Sequence, residues 1–285
     1  MIYKQINELP EKYIKSKIAE FIAEDIPNRD ITTDLTIDNH QIVLAQLITQ
    51  QDTVFIGEKI IPCFFDESVH VDILFKDGDY VQENTVVARF IGQATKILTM
   101  ERSLLNLIQL LCGIANKTRK FVELAKPYGI EILDTRKTTP GLRLFEKYAV
   151  AKAGGTNHRL DLSSGILIKD NHLAGKQLDI LLTHVKEHNS THLPIEVEVD
   201  TFEQLYTVLD VGVDAILVDN MSAERVAKAV QVIRNHRNGK NIYIEASGGI
   251  NLSNIEPYLH TGVNGISIGA LTHSVKAVEL HIEFV

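Results

Sequence analysis

The 285-residue chain predicts an α/β protein in which a small antiparallel sheet precedes a closed or nearly closed parallel barrel. Three observations predict this. Short β-rich runs separated by turn residues fill positions 41–92. From residue 130 onward, six candidate strands alternate with apolar-periodic helical segments, and their starts lie 21 to 35 residues apart. That spacing leaves one crossover helix per pair, which makes the strands parallel. Finally, no G-x-G-x-x-G follows the first strand and no G-x-x-x-x-G-K-[ST] occurs, so an open doubly wound sheet lacks its usual phosphate loop.

Taken in order, residues 12–25 place Ile14, Ile18, Phe21 and Ile22 on one helical stripe, and Pro27 ends it. Runs 42–49, 69–75 and 86–91, with Asp77-Gly78-Asp79 between them, read as antiparallel strands. The turn at 78–81 is faintly similar to carrier domains that hold lipoyl or biotinyl groups. No lysine sits at a suitable tight turn, so the structural reading is preferred. Residues 100–125 form a long helical pattern through Leu104, Leu107, Ile108, Leu111 and Ala115. The barrel strands are then expected at 130–135, 165–169, 194–199, 215–219, 242–246 and 265–268, with helices at 202–209, 223–233 and 254–260.

Composition limits the function classes. With 29 Lys+Arg against 37 Asp+Glu the net charge is −8, so nucleic acid is not an expected partner. A hydrophobic fraction of 45% and a charged fraction of 23% exclude a disordered chain. Apolar runs stay far below the ~18 residues a membrane span needs, and no membrane partner is expected. Residues 1–10 carry Lys4 and Glu8 without an apolar core, so no signal peptide is expected. Cys63 and Cys112 have no CxxC spacing and suit buried thiols in a reducing, cytoplasmic setting.

Polar residues gather where the strands end. The six expected strands finish in Asp134-Thr135-Arg136-Lys137-Thr138, Lys169-Asp170-Asn171-His172, Glu196-Val197-Glu198-Val199-Asp200, Asp219-Asn220, Glu245-Ala246-Ser247-Gly248-Gly249 and Gly269-Ala270. Buried charges are costly unless paired, so charges converging at one barrel rim pair with each other, with a ligand, or with both. The glycine-rich loops at 247–249 and 269 stand where barrels hold phosphate on backbone N–H groups. Arg136, Lys137, His158, Arg159 and Lys169 suit a small di- or tri-anion. Residues 134–172 hold seven Lys/Arg against four Asp/Glu, a local +3 that leaves −11 for the rest. Glu198 and Asp219, from neighbouring strands, can hold Mg²⁺ beside a phosphorylated substrate or stabilise a developing cation. There is no zinc-type Cys/His cluster, and Ser247 lies in a glycine loop without an adjacent base, so no serine nucleophile is expected.

These residues carry a resemblance. Arg29-Asp30-Ile31-Thr32-Thr33, Glu101-Arg102-Ser103 with Gly113-Ile114-Ala115, Asp134 to Gly141, Gly154-Gly155-Thr156-Asn157-His158-Arg159, Leu167 to His172, Glu196 to Val199, Val218 to Met221, Glu245 to Ile250 and Ile268 to Ser274 follow one another as ordered blocks. In them the sequence closely resembles the quinolinate phosphoribosyltransferases, also called carboxylating nicotinate-nucleotide pyrophosphorylases. The resemblance implies an incomplete α/β barrel (residues 113–272) beside an N-terminal α/β sandwich (residues 1–112) that the segment 273–285 rejoins. It also implies phosphoribosyl transfer from phosphoribosyl pyrophosphate to quinolinate with decarboxylation, giving nicotinate mononucleotide, pyrophosphate and CO₂ on the route to NAD. A homodimer or higher homo-oligomer is implied, with Arg102 completing the neighbouring subunit's site.

Carried over by position, Arg102, Arg136, His158, Arg159 and Lys169 look like the quinolinate-binding group. Lys137, Glu198, Asp219, Ser247, Gly248, Gly249 and Gly269 look like the phosphoribosyl pyrophosphate side, with Lys137, Glu198 and Asp219 as the catalytic group and the two carboxylates as Mg²⁺ ligands. There are two departures. Arg29 replaces the usual Gly before Asp-Ile-Thr-Thr, where a positive φ would be strained, and Asn264 replaces a common Asp and reads as a surface change. Two other readings compete. One is a sister transferase of the type associated with molybdate transport, acting on another acceptor; the run 169–172 argues against it, because an acceptor without two carboxylates does not need that much charge. The other is a non-catalytic sensor on a retired barrel, which the occupied catalytic positions disfavour.

Overall fold

The computed structural model describes residues 2–173 and 175–285. The chain divides into two compact units, one built from Ile6–Arg119, Leu144–Gly154 and Val275–Val285, the other from Met1–Gln5, Lys120–Arg143 and Gly155–Ser274.

In the first unit, α1 (Glu11–Asp25) buries the predicted stripe through Ile14 and Ile18. Helix α2 (Ile31–Thr36) explains the Asp30-Ile31-Thr32-Thr33 run, since Asp30 accepts the Thr33 N–H at 3.0 Å and the Thr33 hydroxyl at 2.6 Å as its N-cap. Arg29 is exposed and its φ lies outside the left-handed region, so the strain expected from replacing Gly is not present.

Strands β1 (Ile42–Thr49), β2 (Thr53–Val54), β3 (Val69–Ile73), β4 (Tyr80–Val81) and β5 (Val86–Gln93) follow. Central β1 pairs antiparallel with β5 on one side and with Leu280–Phe284 on the other, and β3 adds to β5. The turn after β3 is structural. Asp77 accepts the N–H groups of Gly57 at 2.5 Å and Glu58 at 2.8 Å, and the Tyr148 hydroxyl at 2.6 Å.

Helix α3 (Ala94–Ala125) starts six residues before the expected 100, because Gln93 leads into it with no loop and the Ala94 N–H bonds to Gln41 O at 2.9 Å. Among the described helices it is long and apolar enough to cross a bilayer, but Leu104, Leu107, Ile108 and Leu111 are spent on the protein's core. Helix α4 (Arg143–Lys152), which the sequence reading did not single out, buries Phe145 and Tyr148. Cys112 is buried, whereas Cys63 is only half-buried because its thiol turns to Lys59 O at the surface.

In the second unit, β6 (Glu131–Leu133), β7 (Ile166–Ile168), β8 (Ile195–Val199), β9 (Ala215–Asp219), β10 (Tyr243–Ser247) and β11 (Gly265–Ser267) form a parallel sheet in the order β6-β11-β10-β9-β8-β7. All six expected strands are present. Among the described residues the ladder does not join β6 to β7, so the barrel is incomplete. In place of a closing strand, Thr156 bridges Leu133, and the Asp134 N–H bonds to Thr156 O at 3.1 Å.

Between strands lie α5 (Asp170–Leu173), α6 (Leu178–His188), α7 (Phe202–Val211), α8 (Ala223–Asn235), α9 (Glu256–Leu259) and α10 (Ala270–His273). Thr201 and Gln204 form a capping box on α7, and Ser222 caps α8. Asn264 is not a surface change. It is half-buried, and its side-chain oxygen accepts the Ile244 N–H at 2.9 Å and Arg234 at 2.7 Å, tying β10 to α8. The last strand, β12 (Leu280–Phe284), is the one that pairs with β1.

Candidate active site

The strand ends of the second unit surround a cavity of about 390 Å³. Parallel strands deliver their C-terminal residues to one edge, so β7 leads into Lys169, β8 carries Glu198, β9 ends in Asp219 and β10 ends in Ser247. The loop after β6 is pinned at three points. Arg143 Nε donates to Thr138 Oγ1 at 3.0 Å, the Thr272 hydroxyl donates to Lys137 O at 2.6 Å, and the Lys137 N–H donates to Thr135 Oγ1 at 3.0 Å.

Buried Asp134 organises the neighbouring segment. Its two carboxylate oxygens accept the Asn157 side-chain amide at 2.6 Å and the His158 N–H at 2.9 Å, laying 156–159 beside β6. His158 and Arg159 reach the cavity that way.

The structure brings together Arg136, Lys137, His158, Arg159, Lys169, Glu198, Asp219, Ser247, Gly248 and Gly249, all of which line this cavity. Two expected residues do not. Gly269 lies beside Lys137, where an added Cβ would stand 3.0 Å from the lysine Cδ, so its glycine admits that side chain. Arg102 is exposed on α3, in the first unit. Thr135, Leu167, Leu217, Asn220, Glu245 and Ser267 also line the cavity; the sequence placed Thr135, Asn220 and Glu245 at strand ends, but none of the six was assigned to a substrate. For Glu245 a signal existed, because it lies two residues before Ser247 on the same strand and so shares its face.

The arginines are set for an anion. Arg159 donates to Gly165 O at 3.0 Å, yet its Nε and that of Arg136 are buried without a hydrogen-bond partner among the described residues. Burial, and then the positive charge of Arg136, depress the pKa of Arg159. An anion between the two guanidinium groups relieves their repulsion and takes up the orphaned donors.

Lys169 Nζ pairs with Glu198, so the cationic group and the carboxylates meet. Glu198 and Asp219, on paired strands β8 and β9, are part-exposed oxygen donors. Mg²⁺ fits such a set, since it keeps waters and takes substrate phosphates beside one or two carboxylates.

His158 is engaged inside the protein. Its Nδ1 accepts the Arg159 N–H at 2.8 Å, so the ring proton sits on Nε2, which lies 3.0 Å from Glu196 Oε2 and 3.9 Å from Glu245 Oε1. The ligand atoms of His158, Glu196 and Glu245 lie within 4.8 Å of one another, but this Nε2 proton already serves Glu196. Burial, and then the Glu196 carboxylate, push Glu245 up to about 8.

The loop 247–249 interlocks with the one after β9. Gly248 has φ +98° and Gly249 φ +63°, and a Cβ on Gly248 would stand 2.7 Å from the Asn220 nitrogen. Asn220 itself sits at φ 53° and donates its N–H to Ser247 O at 3.0 Å.

The sequence profiles of the quinolinate phosphoribosyl transferase N-terminal and C-terminal domains match residues 30–112 and 114–283. The chain belongs to the quinolinate phosphoribosyl transferase family. Within it, a probable nicotinate-nucleotide pyrophosphorylase [carboxylating] of Bacillus subtilis is 40% identical over 274 residues, 95% of this chain and 93% of that protein. The nicotinate-nucleotide pyrophosphorylase [carboxylating] of Mycobacterium leprae is 37% identical, covering 89% of this chain and 90% of its own. The solved nicotinate-nucleotide pyrophosphorylase of Francisella tularensis superposes with a TM-score of 0.92 at 34% identity, over 99% of both chains. Family membership thus covers both units, including the basic wall and the glycine loop of the cavity.

Proposed function

We propose that the protein transfers the phosphoribosyl group of phosphoribosyl pyrophosphate to the ring nitrogen of quinolinate, with loss of the 2-carboxylate as CO₂. The observation that carries this is the meeting, in one cavity, of Arg136, Arg159 and Lys169 with the Glu198–Asp219 pair and the 247–249 loop. A pyridine dicarboxylate needs several fixed cations, and a departing pyrophosphate needs backbone N–H groups and a lysine. Both sets are present. The sister transferase is not favoured, because an acceptor without two adjacent carboxylates leaves these guanidinium groups uncompensated.

Arg136, Arg159 and Lys169 bind the two ring carboxylates, with Arg102 of a neighbouring subunit in a homodimer completing that end. His158 lines the same region, its ring held by Glu196 at 3.0 Å from Nε2. The N–H groups of Ser247, Gly248 and Gly249 hold phosphate, and Lys137 neutralises the leaving pyrophosphate. Gly269 serves by making room for Lys137. Glu198 and Asp219 would hold Mg²⁺, which supplies charge neutralisation to the pyrophosphate.

As the ribosyl–pyrophosphate bond breaks, these two carboxylates face a developing oxocarbenium charge and stabilise it. The clamped pyridine nitrogen is oriented for attack on that carbon. Once alkylated, the nitrogen is a cationic electron sink, so the adjacent C–CO₂ bond breaks and the ring carbon takes up a proton without a dedicated acid. A cytoplasmic setting suits the two free cysteines. Purified protein given quinolinate, phosphoribosyl pyrophosphate and Mg²⁺ should release CO₂ in step with nicotinate mononucleotide; a preferred monocarboxylate acceptor, or no CO₂, overturns the reading.

A further inference from the structure

His158 and Arg159 owe their positions to residues that precede the first helix. The Tyr3 hydroxyl donates to Glu196 Oε2 at 2.5 Å, the same oxygen that lies 3.0 Å from His158 Nε2. The Tyr3 ring lies against the imidazole, with centroids 4.6 Å apart and planes at 36°. Any side chain on Gly165 would run into that ring, so the glycine is what admits Tyr3.

Two residues further on, Gln5 grips the Asn157 backbone in both directions. Its amide donates to Asn157 O at 3.1 Å, and its oxygen accepts the Asn157 N–H at 2.6 Å. All these residues belong to one compact unit. Tyr3 is only 6% exposed, and burial, followed by the Glu196 carboxylate, raises its hydroxyl pKa well above the ordinary value. It is a standing donor, and it does not line the cavity.

We propose that Tyr3 is a positioning residue for the acceptor end of the site: acting through Glu196 it fixes the His158 ring, and through His158 Nδ1 it fixes the backbone of Arg159. The chain of contacts is continuous. The Tyr3 O–H and His158 Nε2–H share one carboxylate oxygen, and His158 Nδ1 takes the Arg159 N–H at 2.8 Å. Removing the hydroxyl leaves a fully buried Glu196 with one donor fewer, so the carboxylate and the histidine resettle and Arg159 moves with them. The loop 247–249 and Asp219 lie outside this chain of bonds. The effect therefore falls on one substrate.

This rests on the reading that Arg159 binds the acceptor's carboxylates. The test is Tyr3→Phe, which keeps the ring and deletes the donor. KM for quinolinate should rise about fivefold or more, with KM for phosphoribosyl pyrophosphate unchanged within about twofold and kcat falling less than KM rises. An unchanged quinolinate KM, or equal rises for both substrates, overturns the proposal. Should Tyr3→Phe fail to fold, Gln5→Ala must show the same split, and equal effects on both substrates would again reject it. Wild-type protein that does not turn over quinolinate defeats the functional reading instead, so the two failures are distinguishable.

Discussion

Asp134 accepts the backbone N–H of His158 at 2.9 Å with one carboxylate oxygen and the Asn157 side chain at 2.6 Å with the other. A fully buried carboxylate thus replaces the closing strand of an incomplete barrel and presents the acceptor-binding segment to the cavity. Asp134→Ala leaves two buried donors unsatisfied and should lower folding stability by about 3 kcal/mol, with Asp134→Asn losing less because it keeps an acceptor. Denaturant unfolding of the two variants checks the order; equal stability to wild type would show that Asp134 does not hold this segment.

Arg136 stands beside Arg159, and the two repel. Arg136→Ala should therefore weaken quinolinate binding by about 1.5–3 kcal/mol, the loss of one charge-assisted contact, without lowering folding stability. Calorimetric titration with quinolinate, paired with a melting curve, measures both. Near-normal affinity contradicts the assignment.

Gly248 combines φ +98° with the close approach of the Asn220 backbone nitrogen. Gly248→Ala incurs about 1–2 kcal/mol of left-handed backbone strain and forces the loops after β9 and β10 apart. The expected result is a raised KM for phosphoribosyl pyrophosphate with the quinolinate KM little changed, the mirror image of the Tyr3→Phe outcome. Steady-state kinetics with each substrate varied in turn separates the two, and a larger effect on quinolinate would place the glycine loop at the other end of the site.

The alternation of strands and helices made the parallel sheet legible, because each barrel strand is a short apolar run ending in a charge: Ala215–Asp219 is found at its expected bounds. Arg136, Lys137 and Lys169 were legible for the same reason, whereas His158 and Arg159 stood out only as cations of the same basic stretch. What escaped was what pattern does not encode. Segment 156–159 follows no strand periodicity, since its position comes from Asp134 and Gln5, one near in sequence and the other 152 residues away. Tyr3 and Glu196, 193 residues apart, meet only after folding. Asn264 looked like surface because its partners, Ile244 and Arg234, are brought to it by the β10–β11 ladder and α8. Local chemistry writes the elements, and distant hydrogen bonds decide which side chain faces the cavity.

Glu245 gives the stability a pH dependence of definite sign. Its carboxyl is fully buried, faces Glu196, His158 and Asp134, and is raised from the ordinary 4.5 to about 8, with burial the largest cause. A carboxyl with a raised folded pKa holds its proton more tightly in the folded state. Below about pH 4.5 both states are protonated and nothing is lost; between there and about pH 8 the unfolded chain ionises while the folded one does not, so stability falls as pH rises. Glu245→Gln cannot ionise and lacks this slope. Denaturant unfolding at several pH values should therefore show the variant gaining on wild type from about pH 5 to pH 8, by up to a few kcal/mol at about 1.4 kcal/mol per unit. A constant offset between the two proteins across that range would mean that Glu245 ionises in the folded state as an ordinary carboxylate does.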